Sequence, residues 1–444
     1  MGLLGLKTFR HGVHPPEHKT ETSALAIRQF PFADPLVVPL SQHLGKPAVP
    51  IVREGQEVAR GQCIARPDGF VSVAMHSPAS GIVRKIALAP GGGGRMIPSV
   101  FIQPFPGSTQ EVAEGKPCPV DADPDAIVAA IQAAGVVGLG GAAFPTHVKL
   151  KIPEGKHVDT LIINGVECEP YLTTDHRVML QQRDDIYEGI RYLLRVCGAQ
   201  RAIIGVEANK PDAAEHLRQG LPADLPAEVA VLRVKYPQGA EKMLITALLG
   251  REVPSGGLPL DVHAICVNVA TTAEIGRLLP RGRGIHERVI TITGPAVAKK
   301  GNYRIPIGTP LRYLLEQAGV TGDVSRVFLG GPMMGQAAST LDQPITKGTS
   351  GVVAFDEPSA QRSARPVYPC IRCAYCVDAC PIFLDPSTLG ALARNGEYDR
   401  MAKEFHLMDC FECGSCSFVC PSHIPLVQQF RVAKAAVRKA GAPK

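Results

Sequence analysis

The stretch CIRCAYCVDACP at residues 370–381 defines the end of this chain, because CFECGSCSFVCP at residues 410–421 repeats every cysteine and the final proline. Each stretch holds three cysteines spaced two residues apart, then a fourth after three residues, then proline. Thiolates with this spacing hold 4Fe-4S clusters: three bind one cubane, and the fourth, before the proline, ligates a second. The repeat therefore predicts an α-helical two-cluster domain of ferredoxin type at residues 366–425.

The eight cysteines are predicted to ligate the two clusters in a crossed arrangement. One cluster takes Cys370, Cys373 and Cys376 with Cys420, and the other takes Cys410, Cys413 and Cys416 with Cys380. The alternative is structural zinc, which is usually bound by two CxxC pairs separated by a loop. Zinc would leave thiolates over, whereas two cubanes use all eight. Helical spacing on both sides of Asn395 and Gly396 predicts two helices between the runs.

Length and composition indicate a globular protein of about three domains. The chain has 444 residues, of which 45% are apolar and 20% charged. No stretch of about 18 strongly apolar residues occurs, so no membrane-spanning helix is expected, and the apolar run in MGLLGLKTFRHG is too short for a signal sequence. The five cysteines outside the two runs are scattered singly, which argues against a disulfide framework and for a reducing compartment.

The last residues carry much of the positive charge. From residue 424 to the end there is no acidic residue, and four basic residues share helical spacing with apolar ones. Residues 426–444 are therefore expected to form a basic helix or tail. It would either pack on the neighbouring domain or dock on an acidic partner or lipid headgroups.

Residues 36–90 read as short strands separated by turns, in the pattern of lipoyl- and biotinyl-type sandwiches. A swinging-arm carrier needs a lysine at the exposed hairpin, and none occurs from Pro47 to Arg84. We therefore predict a β barrel-sandwich hybrid module with its linker at residues 1–120, with a structural or docking role.

Two further domains are predicted between this module and the cysteines. Over residues 121–285, DPDAIVAAIQAAG and DIYEGIRYLLRVCG read as helices, and TLIING and RAIIGVEA as buried strands, which indicates an α/β domain. Over residues 286–355, a strand, strand, helix, strand order indicates a β-grasp domain. In it, Thr309 is expected to cap a helix whose first residue is Pro310. The fold class is thus multidomain α+β.

The glycine-rich stretch GLGGAA at residues 138–143 is the candidate cofactor loop. It fits GxGxxA, but a Rossmann fingerprint follows a strand and opens a helix, whereas this loop follows a helix that ends at Gly135. Its glycines still let backbone N–H groups approach a phosphate or a ring, and the alternative is a tight turn without a ligand. Cubanes take one electron at a time, so a hydride donor needs an intermediary such as flavin.

Several stretches resemble the flavin- and NADH-binding subunit of respiratory complex I. They are GLGGAAFPTHVKL, NGVECEP at 164–170 with DHR at 175–177, YPQGAEK at 236–242 and VNVATT at 267–272. The β-grasp unit resembles the soluble-ligand-binding β-grasp (SLBB) domain of that family. With the sandwich module in front and the doubled cysteine run behind, residues 1–425 resemble the RnfC (also RsxC) family, a component of Rnf ion-translocating electron transport complexes.

The resemblance implies a set of cofactor and substrate residues. FMN would be contacted by Gly138, Gly140, Gly141, Lys149 and Asn164, and the catalytic carboxylates beside the nicotinamide would be Glu167 and Glu169. Taken as residues alone, the alternatives are a solvated Lys149 and carboxylates that pair with Arg177. The chain departs from complex I at Val166, Ala240 and Ala270, where that subunit has acidic residues.

The resemblance also implies the activity. It is that of an NADH-dependent oxidoreductase subunit of a translocase: hydride passes to FMN, and single electrons pass to two 4Fe-4S clusters. The expected partners are membrane-embedded and flavin-bearing subunits and a ferredoxin or similar carrier, with no nucleic acid. The expected location is peripheral, on the cytoplasmic face of the bacterial inner membrane. The rival hypotheses are a cobalamin-reductase-like flavoprotein, with the sandwich module after the clusters, and a flavin-free relay subunit.

Overall fold

Two small antiparallel sheets form the first unit of the protein. The computed structural model describes residues 5–320, 324–358 and 365–441. The first strand, β1 (Ile27–Gln29), joins a sheet further along the chain, and the strands of this unit follow it: β2 (Leu36–Pro39), β3 (Val49–Pro50), β4 (Glu57–Val58), β5 (Cys63–Arg66), β6 (Met75–His76), β7 (Gly81–Pro90) and β8 (Met96–Pro104). The sheets have the orders β2-β8-β7-β4 and β3-β5-β6. Ile64, Val83 and Ile102 are fully buried in a shared core, so the predicted sandwich is confirmed.

A parallel four-stranded sheet with helices forms the second unit. Its elements are α1 (Pro124–Ala133), α2 (Thr146–Leu150), β9 (Thr160–Gly165), α3 (Thr174–Gln181), α4 (Arg183–Cys197), β10 (Arg201–Glu207), α5 (Pro211–Gln219), β11 (Ala227–Leu232), α6 (Glu241–Leu249), β12 (Ala264–Asn268) and α7 (Val269–Leu278). The strand order is β11-β10-β9-β12, and all pairs are parallel. The chain builds outward from β9 on one side and returns to β12 on the other. Ligands in such sheets bind at the carboxyl ends of the strands, where the order reverses.

Local sequence explains the helix that precedes the glycine loop. Asp123 accepts a hydrogen bond from the Asp125 N–H and Pro124 is the first helical residue, which together start α1. Gly135, with φ of 74°, turns the chain into the loop just after the helix ends. A Cβ at this position would lie 2.4 Å from the carbonyl oxygen of Ala74 in the sandwich unit, so only glycine fits.

A six-stranded mixed sheet forms the β-grasp unit. Its elements are β13 (Glu287–Thr293), β14 (Gly301–Pro306), α8 (Leu311–Gln317), β15 (Val324–Leu329), β16 (Gln336–Ala337) and β17 (Gly351–Asp356), and the order is β1-β14-β13-β17-β15-β16. The edge strand β1 was not predicted. The predicted cap of α8 was wrong, because the Thr309 hydroxyl donates to the Pro306 carbonyl and the helix begins at Leu311, after Pro310.

Short helices carry the cysteine runs. They are α9 (Tyr375–Asp378), α10 (Pro386–Arg394), α11 (Tyr398–Lys403), α12 (Ser415–Phe418) and α13 (Leu426–Gly441). The predicted break lies between α10 and α11, where Gly396 has φ of 70°. Helix α13 packs on the domain through the buried Phe430, and the buried Lys434 ammonium lies 3.2 Å from Glu412. Of the two roles predicted for the basic tail, the structure thus shows the packed helix.

Buried Lys347 connects three of these units. Its Nζ donates to the carbonyl oxygens of Ala74 in the sandwich and Gly135 in the α/β unit, at 2.7 and 2.8 Å. Burial lowers the pKa of Lys347 to about 7. Within the described ranges of the chain, no helix has the length and apolarity needed to span a membrane.

Candidate cofactor sites

Two asparagines lie side by side where the strand order of the parallel sheet reverses. Asn164 lies near the end of β9 and Asn268 ends β12, and they are partners in the strand register. The Asn164 amide donates to the Gly239 carbonyl at 2.8 Å, and its side-chain oxygen accepts from the Val166 N–H at 3.1 Å. Asn268 caps α7 by accepting from the Thr271 N–H. The pair therefore fixes the geometry of the expected ligand crevice.

The glycine loop is anchored directly at this point. It is closed at its base by the Gly138 N–H, which donates to the Phe144 carbonyl at 2.8 Å. The Leu139 N–H donates to the Thr271 hydroxyl at 2.9 Å, and buried Arg288 donates to the Leu139 carbonyl from the β-grasp unit. The loop thus lies over the start of α7, and the β-grasp unit supports it from behind.

The glycines of the loop have different roles. A Cβ at Gly140 would lie 2.5 Å from the Asn268 side-chain nitrogen, so the close approach of loop and strand end requires glycine there. A Cβ at Gly141 would meet nothing within 4 Å, so this residue faces open space. The N–H groups of Gly140, Gly141 and Ala142 have no acceptor among the residues that the structure describes. Such a row of free N–H groups suits a phosphate or the polar edge of a flavin ring, so the loop fits FMN.

Charged groups flank the loop on two sides. Burial lowers the pKa of the Arg288 guanidinium to about 10. Asp175 accepts from the Asn268 amide at 2.8 Å, and burial together with the neighbouring Glu167 raises its pKa to about 7. Arg288 and Asp175 are missing from the predicted site residues. The DHR motif pointed to Asp175, but no sequence signal marked Arg288, which reaches the loop from another domain.

Lys149 lies at the rim of this region in an ion pair. Its Nζ is 2.8 Å from a Glu241 carboxylate oxygen at the start of α6, and both side chains are about one-third exposed. The alternative of a solvated, unpaired Lys149 is therefore not what the structure shows. The pair joins α2 to the 236–242 segment, whose Gly239 carbonyl binds Asn164.

Glu167 holds the start of a helix. Its carboxylate accepts from the N–H groups of Asp175 and His176 at 2.9 and 3.4 Å, where the dipole of α3 favours negative charge. The ammonium of Lys19 lies 3.9 Å away. Glu167 thus fixes the position of Asp175 beside Asn268.

Glu169 connects the α/β unit to a loop of the β-grasp unit. Its carboxylate accepts from the N–H groups of Met333 and Met334 at 3.1 and 2.7 Å, and burial raises its pKa to about 7. Neither this carboxylate nor that of Glu167 contacts Arg177, which donates to Gln181 and to the Ser23 carbonyl. The alternative of a pair with Arg177 is therefore absent.

The three departures from complex I occupy structural positions. Val166 and Ala270 are buried in apolar cores, and Ala240 precedes the first residue of α6. Their side chains therefore fill the fold at these positions.

The first cysteine set surrounds a cavity. Cys370, Cys373 and Cys376 line it together with Cys420 from the second run. Burial raises the pKa of the Cys376 thiol to about 11, and the nearby Cys420 raises it further. The structure therefore brings together the four cysteines expected from crossed ligation.

The second set lies deeper in the protein. Burial raises the pKa of the Cys416 thiol, and its electrostatic neighbours Cys413, Cys410 and Cys380 raise it further. Burial thus favours neutral thiols, and bound iron would supply the charge that holds them as thiolates. Within the described residues, no three Cys, His, Asp or Glu side chains converge as around a single metal ion. A cavity with cysteines around it suits the separate corners of a cubane better than one zinc ion.

The glycine loop and the two cysteine sets define a class of protein: an electron-transfer subunit that holds a flavin and two iron–sulfur clusters. Family sequence models match in the order expected. They are the RnfC barrel sandwich hybrid domain at residues 7–105, the Nuo51 FMN-binding domain at 131–277, the SLBB domain at 289–337 and the 4Fe-4S dicluster domain at 369–425. The sandwich precedes the clusters, opposite to the order expected of a cobalamin-reductase-like protein.

Similar proteins along the full length specify the family. The chain is 41% identical to the RnfC-type component of the Na+-translocating ferredoxin:NAD+ oxidoreductase complex of Acetobacterium woodii, over 96% of each chain. It is 40% identical to the proton-translocating counterpart of Clostridium ljungdahlii, over 98% of this chain and 95% of that one. Against the corresponding component of the ion-translocating oxidoreductase complex of Pseudomonas aeruginosa it is 39% identical and covers 98% of its own length and 56% of that protein.

The chain belongs to the RnfC family of ion-translocating oxidoreductase complexes. It is accordingly one subunit of a multi-subunit electron transport complex. A solved structure with a similar fold is the air-oxidized NAD+-reducing NiFe hydrogenase, with a TM-score of 0.50 and 20% identity over 77% of this chain and 74% of that one. That likeness concerns the fold alone.

Proposed function

We propose that this chain carries electrons between NADH and ferredoxin-type carriers, as the FMN- and cluster-bearing peripheral subunit of a complex that couples this transfer to ion translocation. The proposed location is the cytoplasmic face of the inner membrane. The observation that carries the proposal is the glycine loop with free N–H groups over the strand ends, in one chain with two sets of four cysteines. A loop of this kind binds a ligand, and the cysteines take single electrons.

The residues around the loop have separate tasks in this proposal. When bound, FMN supplies the conversion between hydride transfer and one-electron transfer. The N–H groups of Gly140 and Gly141 bind its phosphate or ring, with Gly138 closing the loop. Arg288 behind the loop and Lys149 at the rim offset negative charge.

The strand-end and acidic residues position the nicotinamide side. Asn164 holds the 236–242 segment through the Gly239 carbonyl. Glu167 fixes Asp175 at the start of α3, and Glu169 fixes the β-grasp loop at Met333 and Met334. In the structure both carboxylates are engaged with backbone N–H groups, so we propose that they act by positioning these segments around the substrate.

Substitution of Gly141 tests the flavin site without disturbing the fold. We expect Gly141→Val to leave the melting temperature unchanged, because its Cβ meets no atom within 4 Å, but to lose FMN by occupying the space above the loop. The measurement is flavin content after gel filtration, alongside iron content. Gly92→Val is the matched control, since Gly92 is also an exposed loop glycine with only a distant Gln336 oxygen near its Cβ.

Stoichiometric FMN in Gly141→Val would remove the loop from the flavin site. If the wild-type protein itself held both clusters and no flavin, the chain would be a relay, and the flavin would belong to another subunit.

A further inference from the structure

The two cysteine sets lie at different depths. Of the second set, Cys380, Cys413 and Cys416 are buried. In the first set Cys370 is exposed, and Cys373 is only partly covered. One cluster position is therefore internal and the other is at the surface.

The internal set faces the α/β unit. The fully buried Tyr236 donates its hydroxyl hydrogen to the Cys413 carbonyl at 2.6 Å, across the boundary between the two units. A Cβ at the next residue, Gly414, would lie 3.0 Å from the Met333 carbonyl, in the β-grasp loop that Glu169 holds. The second set thus lies against segments that border the flavin region, and it is the inner position of the pair.

The outer set is surrounded by exposed apolar side chains. We call Val367, Tyr368, Ile371 and Tyr375 the apolar collar, and their exposed fractions are 60, 55, 67 and 57%. Ile371 also lines the cavity between the cysteines. Such a concentration of large apolar side chains within nine residues marks an interaction surface.

The backbone of the collar is fixed. The Tyr368 N–H donates to the Ser422 carbonyl at 2.9 Å, and the Ser422 hydroxyl donates to the Pro369 carbonyl at 2.8 Å. A surface that is ordered before binding loses little conformational freedom on association.

Positive charge accompanies the collar. Residues 365–377 include two arginines and no acidic residue. Arg372 is exposed in the collar, and Arg394 lines the same cavity. Neither forms an ion pair within the described parts of the chain. Both charges are therefore free to meet a partner of opposite sign.

We propose that the apolar collar docks a neighbouring subunit of the complex, one that carries a one-electron centre and presents an apolar patch with an acidic rim. The proposal rests on the proposed function. An electron that leaves the Cys410 set reduces the Cys370 set by one, and the partner's centre is then reduced by one as the Cys370 set is reoxidised. The two electrons of one hydride pass singly, with no bond or proton exchanged in these steps, and the opposite direction reverses the order.

The test compares charge-reversed surfaces of the cysteine domain. The first variant is Arg372→Glu with Tyr375→Asp, and the second is Val367→Asp, which lies outside the cysteine run. The matched control is Val432→Asp with Arg438→Glu on α13, because Val432 is 60% exposed and Arg438 is a basic residue of the same helix. Iron content and the EPR spectra of both reduced clusters establish that each variant is intact.

The measurement is the reoxidation rate of dithionite-reduced protein mixed with membranes that hold the rest of the complex. We expect both collar variants to be slowed at least about tenfold, with the control unchanged, and the wild-type rate to fall with salt. Wild-type rates in both intact collar variants would overturn the proposal, as would an effect confined to the α13 control. Because dithionite replaces NADH, a failure of the proposed NADH activity leaves this result readable.

Discussion

At the scale of single residues, the fourth cysteine of each run defines how the domain is built. Cys420 joins the cavity of the first run, and Cys380 is an electrostatic neighbour of the second. This arrangement makes the two runs interdependent. Neither run can hold a complete cluster without a residue from the other.

Serine variants of these two cysteines test the crossed arrangement. We expect Cys380→Ser to perturb the same EPR signal as Cys410→Ser, and Cys420→Ser to perturb the signal that Cys370→Ser perturbs, since each replaced thiolate belongs to that cluster. The measurement is EPR of the reduced protein with iron counts. Cys63→Ser is the control, because this half-buried cysteine lies in the sandwich unit. A match between Cys380→Ser and Cys370→Ser would contradict crossed ligation.

Residue-scale prediction succeeded where covalent spacing decides the outcome and stopped where the fold decides it. Two-residue spacing brings thiolates together whatever surrounds them. By contrast, the NGVECEP stretch carries no sign that Glu167 caps α3 or that Glu169 binds a loop more than about 160 residues further on. Arg288 was missed for the same reason, because its contact with the glycine loop depends on how the domains pack.

At the scale of elements, Lys347 holds the base of the glycine loop in place. A neutral amine has two N–H donors, and the carbonyls of Ala74 and Gly135 accept both. Gly135 begins the turn into the loop, so this contact couples the sandwich unit to the flavin region.

The lowered pKa of Lys347 predicts a pH dependence of stability. Between its folded pKa of about 7 and its usual value of 10.5, the unfolded chain binds a proton that the folded protein has released. This group therefore makes stability rise with pH across that window, by up to about 1.4 kcal/mol per pH unit, and contributes no slope below it.

Lys347→Met should flatten this rise, with Lys46→Met as the control, since the Lys46 side chain is 72% exposed. The measurement is the melting temperature from about pH 7 to about pH 10, the window of the Lys347 shift. An identical pH profile for wild type and Lys347→Met would show that the buried amine is already charged in the folded protein.

Element prediction was accurate for strong patterns. The apolar runs of β9 and β10 and the glycine-ended helices α1 and α4 formed as expected, because strands buried on both faces and amphipathic helices leave clear patterns. The three-residue strand β1 was missed, since its pairing with β14 depends on a residue register far along the chain. Thr309 was misplaced as a cap because its hydroxyl finds a nearer carbonyl in the preceding turn.

At the scale of the whole molecule, four units place a flavin region next to an internal cysteine set and leave a second set at the surface. The order of the units followed from sequence, since each has its own pattern. Their mutual contacts did not, because Tyr236 and Lys347 look like ordinary core residues until the units are assembled. These contacts are what turn separate binding modules into a path for electrons.

An anaerobic absorbance titration of the cluster-reconstituted, FMN-loaded protein with NADH tests this account most directly. The account predicts loss of flavin absorbance followed by bleaching of the cluster band, with the chain alone and no other subunit present. Two intact clusters that do not respond to NADH, in a protein that retains no flavin, would contradict it and make this chain a relay for a dehydrogenase elsewhere in the complex.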